Sequence, residues 1–426
     1  MNLSQTKTVD RSASREQQLR EAALLIFCEP ASSECARLLK LSRADWNHLL
    51  HWLDTSGLAL YFLDRVRELG LSGELHVDVI ARLEQNLADS TKRINAMIKE
   101  STEIQHKFQN ARLSYAMLKG FSLWPESVPN LALRSQLDLD FLVAEENAEE
   151  ARQILEESGY HLHVRSGRSW EFKSNDGRTP TLKDLYKAGL SRSVELHLEG
   201  GRVSDTSDTS LLSHVVWRDL HGLLTPVLSP VDLFLGQGLH LFKHVCSELA
   251  RTAHLIEFRR HVIARYDDLE FWKLLEKKTA SDPNARMRLG LVIQLIGHVM
   301  GDFAPIALTA WTVDCLPVAA VDWVHYYGRR SVLATFPGTK LYLLLQAALE
   351  DAGVPSKRSL RQSLLPRRLP PAIAHGTAHE TLWTRLRRNG RQLHFISFRL
   401  RFHVVAGLHY LLESARWRNL RNGLAL

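Results

Sequence analysis

Two aspartates one residue apart, Asp138 and Asp140, stand inside the hydrophobic run from 137 to 143 (LDLDFLV). Side chains alternate faces along a strand, so residues two apart point to the same side and bring the two carboxylates together. Like charges that close repel and titrate poorly unless a cation neutralises them, which predicts a divalent metal site. A third carboxylate, Glu195, lies in a second β-type run, VELHL at 194 to 198, and completes the site if the two strands are neighbours. Three carboxylates on adjacent strands suit Mg²⁺, with Mn²⁺ as its substitute, because these ions prefer oxygen ligands and retain positions for water and substrate phosphates. A solvated strand end is the plainer reading of an isolated Asp-x-Asp. The preceding segment argues against it: Lys119 and Gly120 follow the strand-like run LSYAML directly, supplying a point charge and a turn where a phosphate could approach the backbone. Arg134, four residues before Asp138, adds a second cation.

The elements that must position these residues can be read from periodicity. From about 15 to 112 apolar residues recur at helical spacing, most clearly at Ile80, Leu83, Leu87, Ile94, Met97, Ile104 and Phe108, predicting short helices followed by one long one. Strand-like runs follow at 113–118, 137–143 and 193–198, with weaker ones at 161–164 and 170–173. Between the second and third, 145 to 158 presents an apolar face of Ala148, Ala151, Ile154 and Leu155, and Gly159 stops the helix. Ser229, Pro230 and Asp232 give a cap, a first-turn proline and an acid three residues past the cap, so a helix starts there. From there to about 349 the reading is helical. The prolines and basic residues of 353–376 read as an irregular linker. The expected organisation is α+β: a helical region at 1–112, a small mixed-sheet core at 113–203, a helical domain at 204–352, the linker, and a basic helical tail at 377–426.

At 426 residues the chain can bury a large core, and its 45% hydrophobic and 24% charged composition disfavours disorder and a polytopic membrane protein. The net charge of +7 is concentrated at one end: from Asp351 onward there are fourteen Lys and Arg against three acids, leaving the preceding 350 residues at −4. Such a tail seeks an anionic surface, membrane or polyanion. Residues 392 to 412 are long enough to span a bilayer, but Arg399 and Arg401 at their centre oppose spanning. A core helix with its charges outward is favoured over an interfacial helix. The four cysteines, Cys28, Cys35, Cys246 and Cys315, form no CxxC pair, and the first residues carry no apolar signal core. A cytoplasmic protein, with the tail as a candidate for peripheral attachment to a membrane, is expected.

The set LKG (118–120), RSQLDLDFLV (134–143), Gly159-Tyr160 after a helix, and VELHL resembles the uncharacterised nucleotidyltransferase family of the DNA polymerase β superfamily. The segment LTPVLSPVDLFLGQGLHLFKH (224–244) is similar to that family's helix with an H-x-x-K-H element. The resemblance covers about a third of the chain. It implies a nucleotidyltransferase sheet with Asp138, Asp140 and Glu195 as metal ligands and catalytic acids. It further implies a two-metal transfer of a nucleoside monophosphate from an NTP to an acceptor hydroxyl, of small molecule, protein or RNA, in a bacterial accessory enzyme. Lys119, Gly120 and Arg134 fall to the triphosphate, Arg134 alternatively to bracing the acids, and Lys243 and His244 to the nucleotide cleft. The chain departs from the wider superfamily in its third acid, Glu instead of Asp, and in the 18-residue interval from Gly120 to Asp138. His240 and His244 have a zinc-compatible spacing but lack the glutamate of HExxH, so a partly buried, hydrogen-bonded pair is expected rather than zinc. A catalytically inactive nucleotide- or partner-binding scaffold of the same fold is the alternative.

Overall fold

A computed structural model describes residues 15–31, 33–174, 185–187, 192–200, 210–220, 222–354, 359–364 and 381–424. Helices α1 (Arg15–Leu25), α2 (Arg43–Ser56) and α3 (Ala59–Glu68) lead into α4 (Val77–Asn110). The apolar run read from the sequence lies on α4, with Leu83, Ile94, Met97, Ile104 and Phe108 buried. At 1.5 Å per residue this helix is about 50 Å long. It serves two cores: Val79 and Leu83 enter the helical one, whereas Ile94, Met97, Ile104 and Phe108 pack under the sheet.

Strand β1 (Tyr115–Leu118) and β2 (Asp138–Ala144) follow, then α5 (Ala148–Glu157), β3 (Tyr160–Ser166), β4 (Ser169–Ser174) and β5 (Ser193–Glu199). All five expected runs are strands, and the crossing helix stops where Gly159 takes φ +86°. Two further strands, β6 (Val216–Leu220) and β7 (Leu223–Val227), extend the sheet beyond the boundary expected at 203. Their five-residue runs, with Pro226 inside β7, gave too little alternation to read. The strand order is β3-β4-β5-β2-β1-β7-β6, with β2 at the centre, antiparallel to β1 and parallel to β5. Leu139, Phe141 and Val143 face the buried side, where Phe108 meets Phe141 edge-on at 5.5 Å. Alternation therefore puts Asp138 and Asp140 on the opposite face.

Helix α6 (Pro230–Val245) begins as expected: Ser229 Oγ accepts a hydrogen bond from the Asp232 amide at 3.2 Å, and Pro230 takes the first turn. After it come α7 (Thr252–Ala264), α8 (Leu269–Lys278), α9 (Pro283–Met300), α10 (Ile306–Thr312), α11 (Val318–Trp323), α12 (Arg329–Val332) and α13 (Tyr342–Asp351). The N-terminal helices share one core with them; Trp52 Nε1, for instance, donates to the Ala334 carbonyl at 3.3 Å. Most of the expected linker lies outside the described residues, and its described part includes a short helix, α14 (Leu360–Leu364).

Helix α15 (Leu382–Leu424) carries the basic tail. It docks through Phe402, Tyr410 and Trp417 and through buried Glu413, which takes hydrogen bonds from Arg330 and Tyr327. Arg399 turns inward to Glu248 at 2.8 Å. Leu386, Leu393, Leu400, Val404 and Leu411 are exposed. Aliphatic side chains, rather than charges alone, thus form the outer face, because the inner contacts are made by three aromatics and ion pairs. Among the described residues no helix is long and apolar enough to cross a membrane.

Candidate active site

The register of β2 and β5 sets Asp138 opposite Ser193, Asp140 opposite Glu195 and Leu142 opposite His197. The three predicted acids therefore share one sheet face, Asp140 beside Glu195. His197 joins them: one ligand atom from each of Asp140, Glu195 and His197 lies within 4.8 Å of the others. Its Nε2 lies 3.0 Å from Asp140 Oδ1 and 3.4 Å from Glu195 Oε2. Ser169, from β4, donates a short hydrogen bond to the other Glu195 oxygen. Asp138 stands two residues before Asp140 on the same face, near enough for the Asp140 and Glu195 charges to oppose its ionisation.

Lys119 reaches into this group. Its Nζ lies 2.8 Å from Asp140 Oδ1 and 3.3 Å from His197 Nε2. The lysine and Gly120 both take positive φ, +48° and +41°. At Gly120 a Cβ would fall 2.3 Å from Gln136 Nε2, so the glycine is required by close packing in the turn. Gln136 in turn donates to the Asp138 carbonyl at 2.7 Å and accepts from Arg134 at 3.3 Å, while Arg93 donates to the Gln136 carbonyl. Arg134 pairs with buried Glu257 of α7 through Nε at 3.2 Å, and the Tyr61 hydroxyl donates to the same carboxylate at 3.0 Å. Arg134 is thus held between Glu257 and Gln136. Lys243 is exposed on α6, and His244 faces His240, their Nε2 atoms 3.1 Å apart.

The charges respond to this crowding. Burial and the neighbouring Asp140 charge hold the Asp138 carboxyl above the ordinary aspartate range, despite Arg134 and Lys119. Burial would raise Asp140 as well, but hydrogen bonds from His197 and Lys119 bring it below its usual value. Glu195 is pulled well down, mainly by the His197 hydrogen bond and then by Ser169. His197 is raised: burial opposes its charge, but Asp140 and Glu195 outweigh burial. A histidine raised on folding adds stability that is complete below its unfolded value near 6.5 and is lost as pH rises through its higher folded value. In metal-free protein His197→Gln should accordingly cost more stability at about pH 5.5 than at about pH 8.5, measured as the wild-type minus variant denaturation midpoint. Equal differences at the two pH values would contradict a charged His197.

His197 was within reach of the alternation argument, since it lies two residues after Glu195 just as Asp140 follows Asp138. Ser169 and Gln136 gave no such signal, because their roles arise only from strand pairing and from the turn at Gly120.

The family described as "Uncharacterised nucleotidyltransferase" matches residues 42–301, more than half of the chain. The chain belongs to this family. It is accordingly a nucleotidyltransferase, an enzyme transferring phosphorus-containing groups, with the mixed α/β architecture described above. Two solved structures are similar to this nucleotidyltransferase. The antibiotic-resistance factor ANT(2'')-Ia is 11% identical with a TM-score of 0.33, over 44% of this chain and 92% of that one. An antigenic nucleotidyltransferase-like protein from Paracoccidioides brasiliensis is 12% identical with a TM-score of 0.30, over 50% and 96%. Among curated proteins none matches the chain.

Proposed function

We propose that this nucleotidyltransferase moves a nucleoside monophosphate from an NTP to an acceptor hydroxyl by a two-metal mechanism, with Asp138, Asp140 and Glu195 as the metal-holding acids. The observation that carries the reading is the pairing of Asp140 with Glu195 across parallel strands, with Asp138 on the same face. The donor chemistry fits a hard divalent cation: the Asp140 and Glu195 carboxylates meet beside His197, Asp138 lies on the same strand face, and its carboxyl is kept from ionising readily by burial and by Asp140. Mg²⁺ or Mn²⁺ held there would neutralise that charge and polarise the phosphoryl oxygens.

The chain's own residues then position the reactants. Lys119 holds Asp140 in the free protein and can turn its ammonium to the triphosphate when cations take over the acids. The turn at Gly120 sets that lysine's backbone, and Lys243 and His244 flank the nucleotide from α6. Arg134, locked to Glu257, keeps Gln136 against the Asp138 carbonyl and so fixes the first acid. Phosphoryl transfer relies on in-line placement and charge stabilisation more than on covalent participation, and these groups supply both. The acceptor is a small molecule, a protein side chain or an RNA end. Titration calorimetry with each NTP, with and without Mg²⁺, tests the reading: cation-dependent binding that Asp138→Asn weakens is expected, and binding indifferent to both would overturn it.

The same reading places the enzyme in the bacterial cytoplasm, with α15 resting on an anionic lipid surface. Nine arginines against one glutamate on this helix, beside an exposed stripe of Leu386, Leu393, Leu400, Val404 and Leu411, suit an interfacial helix. Flotation with phosphatidylglycerol vesicles should carry the wild type upward and leave Leu393→Gln/Leu400→Gln/Leu411→Gln at the bottom. Equal flotation of the two, or none by the wild type, would refute the lipid contact.

A further inference from the structure

Beside the acid cluster three histidines meet, only one of which, His244, has been given a role above. His240 and His244 lie one turn apart on α6, and His254 comes from the first turn of α7. Their ring centroids are 4.6, 4.7 and 5.5 Å apart, and one nitrogen from each lies within 4.8 Å of the other two. His254 is only 8% exposed, and its Nδ1 has no hydrogen-bond partner among the described residues. A buried imidazole nitrogen without a partner costs free energy unless something satisfies it.

We propose that His240, His244 and His254 form a three-imidazole site for a borderline transition-metal cation of the Zn²⁺ class, separate from the carboxylate site. The sequence expectation against zinc rested on two ligands and no HExxH glutamate. The third ligand lies ten residues past His244, across the α6–α7 turn, where helix spacing cannot reveal it. Zn–N bonds of about 2.0–2.1 Å in a tetrahedron separate nitrogens by roughly 3.4 Å. The His240–His244 pair, at 3.1 Å, is already near that separation.

Donor chemistry distinguishes the two sites. Imidazole nitrogen favours Zn²⁺, Co²⁺ or Ni²⁺, whereas carboxylate oxygen favours Mg²⁺ or Mn²⁺. Burial, together with nearby cations, keeps all three rings neutral near pH 7, as metal ligation requires. Those cations, Lys119, Lys243, Arg134 and Arg251, oppose a dication electrostatically. Much of their field is answered locally: Lys119 is paired with Asp140 and Arg134 with Glu257, and Arg251 feels the charges of Glu257 and Asp138. An ion on three imidazoles keeps a fourth position for a water or an anionic oxygen.

The test uses the untagged full-length protein, stripped with chelator and titrated with Co²⁺ as a visible-absorbing stand-in. Wild type and Asp138→Asn/Asp140→Asn should both develop a d–d band saturating at one equivalent and displaced by one equivalent of Zn²⁺. His240→Gln and His254→Gln should lose the band while keeping the wild-type circular dichroism. His240 is half-buried, so its variant guards against a folding failure at His254. No band in the wild type, a band unchanged in both histidine variants, or a band lost only with the aspartates would overturn the site. The aspartate variant also separates this inference from the transfer reaction, since losing transfer there leaves the cobalt band in place.

Discussion

Asp138→Asn and Asp140→Asn should each lower nucleotidyl transfer by about 10³-fold, equivalent to ~4 kcal/mol of transition-state stabilisation, while moving the stability of metal-free protein in opposite directions. The shared loss follows from the proposal, in which each of the two aspartates supplies an anionic oxygen to the bound cation. The opposite stability effects follow from where each side chain sits. Asp138 is held above its ordinary value of 3.8 by burial and by Asp140. Such a group costs stability, nothing below 3.8 and the full amount once pH exceeds its folded value, so a neutral Asn relieves the cost near pH 7. Asp140 is lowered, chiefly through hydrogen bonds from His197 and Lys119 that outweigh its burial. Its ionised form therefore adds stability above 3.8 that is lost as pH falls, and Asn forfeits it. Thermal melts in EDTA should rank Asp138→Asn above wild type and Asp140→Asn below it. Transfer retained by either variant, or equal melting of the two, would contradict this division of the pair.

Glu257→Gln should be the most damaging single change to folding that leaves Asp138, Asp140 and Glu195 intact. Glu257 is 2% exposed and accepts from Arg134 at 3.2 Å and from Tyr61 at 3.0 Å. Breaking a buried ion pair by removing one partner strands the other charge, at a cost of about 3–5 kcal/mol. Against whole-protein stabilities of about 5–15 kcal/mol this lowers the urea midpoint severely. Replacing both partners, Arg134→Met with Glu257→Leu, removes the stranded charge and should recover much of the midpoint. It should not recover transfer, because Arg134 also donates to Gln136, which holds the Asp138 carbonyl. Recovery of both properties would show that Arg134 does no more than fill space.

Local chemistry was legible in the sequence wherever a single element carries it. Strand alternation joined Asp138 to Asp140, the Ser229 cap located the start of α6, and helical spacing found the buried face of α4. Contacts between distant elements were not legible. The Arg134–Glu257 brace spans 123 residues. His254 meets His240 and His244 only because α7 folds back beside α6, and β7 pairs with β1 in parallel across more than a hundred residues. The exposed aliphatic stripe of α15 was not legible for a related reason: which side of an amphipathic helix is covered depends on Tyr327, Arg330 and Glu248, far away in the chain.

The central claim, metal-dependent nucleotidyl transfer at Asp138, Asp140 and Glu195, is tested most directly with α-³²P-labelled NTPs. Wild type and Asp138→Asn/Asp140→Asn are incubated with each NTP, Mg²⁺ or Mn²⁺, and a cell extract separated into protein, RNA and small-molecule fractions. Label entering one fraction with the wild type alone is the predicted result, and the labelled fraction defines the acceptor class. Label transferred equally by the doubly substituted protein, or to no fraction by a folded wild type with both metals supplied, would contradict the account.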